Sequence, residues 1–143
     1  MPPKRDREQF IHDDLLKIAK ELVRALRQTW KKEGTLASIA IAWPGERLRL
    51  DDGYSTEGCI FTSLEKIPEE GRKAVLTDFT KKTHAFGLFV VEYRPSEGVL
   101  ARFETSRHSR AWRLQIEKHG DVRRLGAIQE ETSYLGILRK LPD

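Results

Sequence analysis

Phe86-Gly-Leu-Phe-Val-Val-Glu-Tyr93 is followed by the turn Pro95-Ser-Glu-Gly98 and then by Val99-Leu-Ala-Arg-Phe-Glu-Thr-Ser106, and this stretch decides the fold. The first run is apolar on both faces, as a central strand should be. After the turn the period is two. Val99, Ala101, Phe103 and Thr105 alternate with Leu100, Arg102, Glu104 and Ser106, and Trp112, Leu114 and Ile116 alternate with Arg113, Gln115 and Glu117. Such alternation describes strands with one buried and one wet face. Successive strands of this kind, joined by short turns, make an antiparallel meander.

Working outward, the segment upstream carries two helices. Asp6 suits an N-cap with Gln9 three positions later, and Gly34 stands where a helix ending near Glu33 wants a left-handed residue. Between them Ile11, Leu15, Ile18, Leu22, Leu26 and Trp30 recur at steps of three and four, the mark of an amphipathic helix. Pro68 suits the first turn of a second helix, with Glu69 and Glu70 at its positive end and Lys81 and Lys82 at its negative end. Val75, Leu76 and Phe79 are its apolar face. Strands are expected at 36–43 and 47–50, separated by Pro44-Gly45, with a further short strand within Tyr54 to Phe61. His119-Gly-Asp121 is a turn, and 122–128 and 134–141 read as the last strands. The sum is an α+β fold: two helices packed on one face of a mainly antiparallel sheet of about five to six strands, a single two-layer domain over 6–143 behind a flexible basic arm at 1–5.

The 143 residues, 38% hydrophobic and 34% charged, suffice to bury a core without a disulfide or a metal, and the lone Cys59 excludes an internal disulfide. The longest apolar stretch, Leu36 to Trp43, is far short of the roughly 20 residues that span a bilayer, so no membrane association is expected. Asp13 and Asp14 follow Met1 to Glu8 where a secretory signal would be apolar, and a cytoplasmic location is the expectation. The chain lacks asparagine, holds methionine only at position 1 and uses 15 arginines against 11 lysines. That mix suits a thermophilic source, and a GC-rich genome accounts for the arginine equally well.

A search for catalytic chemistry finds no signature. Cys59 sits in the run Cys59-Ile-Phe61 with no base beside it, as a small buried hydrophobe would. His12, His84, His108 and His119 share no metal-site spacing, and Gly45, Gly53, Gly58 and Gly71 form no phosphate-cradling loop. Glu92-Tyr-Arg94 with Asp78 upstream is a poor match to the Asp…Glu-x-Lys pattern of Mg²⁺-dependent nucleases. Arg94 cannot release a proton, and Asp78 falls in the second helix. A metal-dependent hydrolase is therefore a distant reading, and no cofactor, metal or catalytic residue is assigned.

Charge placement is more informative. At 100° per residue, Lys17, Lys20, Arg24, Arg27 and Lys31 all fall within about 40° of the direction opposite the apolar face of the first helix, over roughly 21 Å. Like charges four apart cost an isolated helix a few tenths of a kcal/mol each. The second helix instead offers Glu69 to Lys73 and Asp78 to Lys82, acid first. A second basic region places Arg107, His108 and Arg110 at a hairpin tip, with Arg102 and Arg113 on the wet face of its strands. By segment, residues 1–33 carry +3, 34–101 carry −2 and 102–143 carry +3. These ten residues are the expected binding surface. Few exposed aromatics accompany the bases and no helix-turn-helix follows, so an acidic protein surface or a nucleoprotein assembly such as the transcription apparatus is the favoured partner. A nucleic-acid backbone is the alternative.

Overall fold

A computed structural model describes residues 7–44 and 58–139. The elements are α1 (Arg7–Glu33), β1 (Ile39–Pro44), β2 (Ile60–Ser63), α2 (Glu69–Thr83), β3 (Ala85–Arg94), β4 (Gly98–Thr105), β5 (Ser109–His119), β6 (Val122–Leu125) and β7 (Gln129–Glu131). Among the described residues one open seven-stranded sheet runs β2-β1-β3-β4-β5-β6, with β7 also paired to β5, and every pairing is antiparallel. The fold is α+β, with two helices packed on a sheet. The arm at 1–5, the Asp6 cap and the strand expected at 47–50 lie outside the described residues.

The meander has the register that its alternation implies: Phe89 pairs with Phe103, and Ala101 with Trp112. Gly98 turns the chain from β3 into β4 at φ 135°, and a side chain there would collide with the backbone carbonyl of Leu114. Only glycine combines that dihedral with that approach. Gly34 ends α1 at φ 67°, its N–H donating to the carbonyl of Trp30 at 2.8 Å. This is the left-handed helix stop.

The helices divide between the two faces of the sheet, which corrects the expectation of one shared face and two layers. Phe89 and Val91 of β3 point toward α1, joining Ile11, Leu15, Val23 and Trp30 in a core completed by Trp43, Phe103, Trp112 and Leu114. Leu88 and Val90 point the other way and pack with Ala40, Leu64 and Leu76, flanked by Phe79. Adjacent strand residues face opposite sides, so β3, apolar at every position from Leu88 to Val91, needs cover on both. Each large side chain buried in these layers contributes about 1.5–3 kcal/mol.

The C-terminal end departs from expectation as well. Residues 134–139 form no strand; they cross the α2 side of the sheet with Leu135 buried and Ile137 and Leu138 beside it. Glu104, fully buried on β4, holds them there. Its Oε1 accepts the backbone N–H of Gly136 at 2.9 Å, and its Oε2 accepts those of Ile137 and Leu138 at 2.8 and 2.7 Å.

Candidate binding surface

Lys17, Lys20, Arg24, Arg27 and Lys31 are all exposed along α1, and none of their side chains makes an ion pair or hydrogen bond among the described residues. The apolar face fixes this outcome: once Leu15, Ala19, Val23 and Trp30 are buried against the sheet, the opposite stripe faces solvent.

The second basic region divides. Arg110 is exposed at the start of β5 and lines a cleft of about 350 Å³ with Lys20, Glu130 and Tyr134, so it adjoins the stripe. Arg107 and His108 are half-buried rather than projecting from the hairpin tip. The tip folds onto the first turns of α1, where Arg107 Nη1 donates to Gln9 Oε1 at 3.2 Å and His108 Nε2 lies 2.9 Å from Asp13 Oδ1. His12, buried beneath, stacks on Phe86 with ring centroids 4.4 Å apart.

Arg102 and Arg113 are on the opposite side of the sheet from α1, and both are consumed internally. Arg102 pairs with Glu92, which also accepts Arg72 Nη1 at 3.0 Å. Arg113 meets Glu131 twice, Nε to Oε2 at 2.6 Å and Nη2 to Oε1 at 3.0 Å. Both are diagonal cross-strand pairs, within reach of an arginine. Glu69 likewise pairs with Arg94 at 2.6 Å rather than with Lys73, whereas Asp78 and Lys82 meet at 2.9 Å as their spacing implies.

The hydrogen bonds from Arg113 hold the Glu131 carboxyl below the usual carboxylate range. A depressed carboxylate stabilises the fold above its unfolded-state range, and the contribution is lost as pH falls through the folded value. Carbon-detected NMR titration should therefore place Glu131 lower in the native protein than in Arg113→Gln, and equal midpoints would remove the assignment.

The structure also supplies bases that the sequence reading passed over. Arg123 and Arg124 on β6 stand across from Arg27 and Lys31, and together with Trp30, Gly34, Val122 and Leu125 they enclose an open groove of about 700 Å³. Arg123 lies over the Trp30 ring at 5.6 Å and donates to the carbonyl of Pro95, while Trp30 Nε1 donates to the Arg123 carbonyl at 3.4 Å. The available signal was the two-residue turn Gly120-Asp121, which folds Arg123-Arg124 back beside 116–119.

Catalytic readings gain no geometric support. Both oxygens of Glu92 are engaged by arginines, and Asp78 is on the exposed side of α2 beside Lys82. Among the described residues no group of three His, Cys, Asp or Glu side chains is placed to hold a metal ion. Burial pushes the Cys59 thiol up, the direction opposite to an activated nucleophile. Among the described residues no helix is long and apolar enough to cross a membrane. Fold and surface together define an α+β domain whose α1 carries five exposed cations in one stripe. The chain matches no protein-family model, no curated protein and no solved structure.

Proposed function

We propose that this protein is a small non-enzymatic binding or regulatory domain that docks on a larger protein or nucleoprotein assembly, such as the transcription apparatus, through the basic face of α1. One contrast carries the reading. On the far side of the sheet Arg72, Arg94, Arg102 and Arg113 each meet a carboxylate, and Lys73 and Lys81 of α2 meet none but stand eight positions apart, whereas the five cations of α1 meet none among the described residues and follow one another along a single face. Leaving Lys20 beside Arg24 and Arg27 beside Lys31 costs the helix a little stability, which an acidic partner would recover. An uncompensated stripe of this kind raises association rate and orients docking.

Reversal of Lys20, Arg24 and Arg27 to glutamate tests this. Three reversals of two charges each take the formal net charge from +4 to −2. An acid at position 27 stands four before Lys31, in the favourable order, so the domain should stay folded. Capture of partners from nuclease-treated host lysate should be lost. Undiminished capture by the folded triple variant would remove α1 from the interface.

Arg123 and Arg124 favour a second reading, since they extend the stripe into a broader cationic surface suited to a phosphate backbone. Retention on heparin and random DNA should then weaken by about 0.9 log units per log salt for each duplex phosphate contact. No retention at low salt would end that reading.

A further inference from the structure

We infer that the groove between the C-terminal half of α1 and β6 receives an acidic segment of a partner protein that also carries apolar side chains. This rests on the reading of α1 as a protein-docking face, and it assigns the chemistry of what docks. The groove is lined by four cations, Arg27, Lys31, Arg123 and Arg124, and by the apolar residues Trp30, Val122 and Leu125. The side chains of Arg27, Lys31 and Arg124 are exposed and make no hydrogen bond or ion pair among the described residues, and among those residues no Asp or Glu lines the groove. Arg123 is fixed at the base by Trp30 and the Pro95 carbonyl, so its charge is already oriented. Val122 also lines the groove and leaves half of its surface exposed, its side chain leaving the edge strand on the side opposite Arg123 and Leu125. Apolar side chains bordered by charged ones are the composition of a protein interface. The volume of about 700 Å³ falls in the range of sites that enclose small ligands or side-chain groups.

The alternatives use less of what is present. A nucleic-acid strand would engage the cations but would find no stacking platform among the described residues of the groove, because Trp30 is only 6% exposed and Arg123 covers its ring. Val122 would then lie unused beside a phosphate. Strand addition to β6 is obstructed as well, since Trp30 Nε1 already occupies the Arg123 carbonyl. An acidic segment with leucine or phenylalanine side chains satisfies both chemistries. Beyond the groove its acids meet a basic track of roughly 21 Å, the reach of about six extended residues.

Fluorescence anisotropy with three labelled probes tests the inference: a short peptide alternating Asp and Glu with Leu and Phe, the same peptide with Ser replacing Leu and Phe, and a single-stranded oligonucleotide of equal charge. The acidic-apolar peptide should bind at least about tenfold tighter than its Ser counterpart, the least that burying one such side chain supplies. Val122→Ser should erase most of that preference while leaving the weaker peptide unchanged. The double variant Lys31→Glu with Arg124→Glu should weaken both peptides, with circular dichroism confirming the fold. Equal binding of the two peptides, or tighter binding of the oligonucleotide that ignores Val122→Ser, overturns the inference. So does self-association of the chain that Val122→Ser abolishes, because a second copy would then be the occupant. Failure here is distinct from failure of the parent reading. If the groove variants leave partner capture intact while the Lys20, Arg24 and Arg27 reversal removes it, the groove fails and α1 stands. If that reversal leaves both capture and peptide binding intact, α1 fails.

Discussion

Glu104→Ala should lower stability by about 3–5 kcal/mol, because the carboxylate accepts three backbone N–H groups and hydrogen bonds to a charged group are each worth about 1.5–3 kcal/mol before non-additivity. The three donors belong to consecutive residues, Gly136, Ile137 and Leu138, so a single side chain orders a whole segment. Without it those amides have two options. They stay buried and unsatisfied, or the segment lifts into water and uncovers Leu135, Leu88 and Val90. Either route loses free energy, by desolvation in the first case and by lost apolar burial in the second. Urea unfolding measures the sum, and limited proteolysis within 134–139 distinguishes the routes, since only a lifted segment is cut. Glu104→Gln keeps the shape and one acceptor oxygen, and should lose roughly half as much. A shift below about 1 kcal/mol in both variants would show that the segment is held by its leucines instead.

That clamp is also where sequence reasoning reached its limit, and the reason is physical. Local periodicity records which face of an element is buried, so α1 is legible from Ile11 to Trp30 and the meander from Phe86 to Ile116. The same pattern contains the layer count: Leu88, Phe89, Val90 and Val91 are apolar in succession, and a strand so composed demands cover on both faces. What periodicity does not record is the partner of a polar residue. Arg102 and Glu104 alternate with apolar neighbours as exposed residues do, yet Glu92 and the 136–138 amides meet them from 10 and more than 30 positions away in sequence. Alternation showed the face correctly and said nothing of what lies on it. The α1 stripe was legible because its distinguishing property is the lack of a partner within the helix, a local fact. Arg123 and Arg124 join it only through the β5–β6 turn and the docking of Trp30 on β6, both of which are tertiary.

The triad Arg72, Glu92 and Arg102 gives the second large effect. Each side chain is between 13% and 19% exposed, so the charges are mostly withdrawn from water. Glu92 separates two guanidiniums, and neither can shed its proton when the acid is removed. Arg72 further donates from Nε to the Ile67 carbonyl at 3.1 Å and from Nη2 to the Leu64 carbonyl at 3.3 Å, tying the turn before α2 to β3. It therefore cannot swing into solvent without releasing that turn. Glu92→Ala leaves two cations facing each other with no carboxylate between them, and should cost about 3 kcal/mol, the low end of what breaking a buried pair costs because some solvent reaches the site. Adding Arg102→Met to Glu92→Ala should recover part of the loss, since one stranded charge is then gone. The same argument predicts that replacing all three by well-packed apolar residues is close to neutral. Denaturant midpoints of the single, double and triple variants measure these costs. If Glu92→Ala is silent, the triad behaves as an exposed ion pair worth less than about 1 kcal/mol, and the α2 side of the sheet is held by Leu64, Leu76, Leu88 and Val90 without electrostatic help.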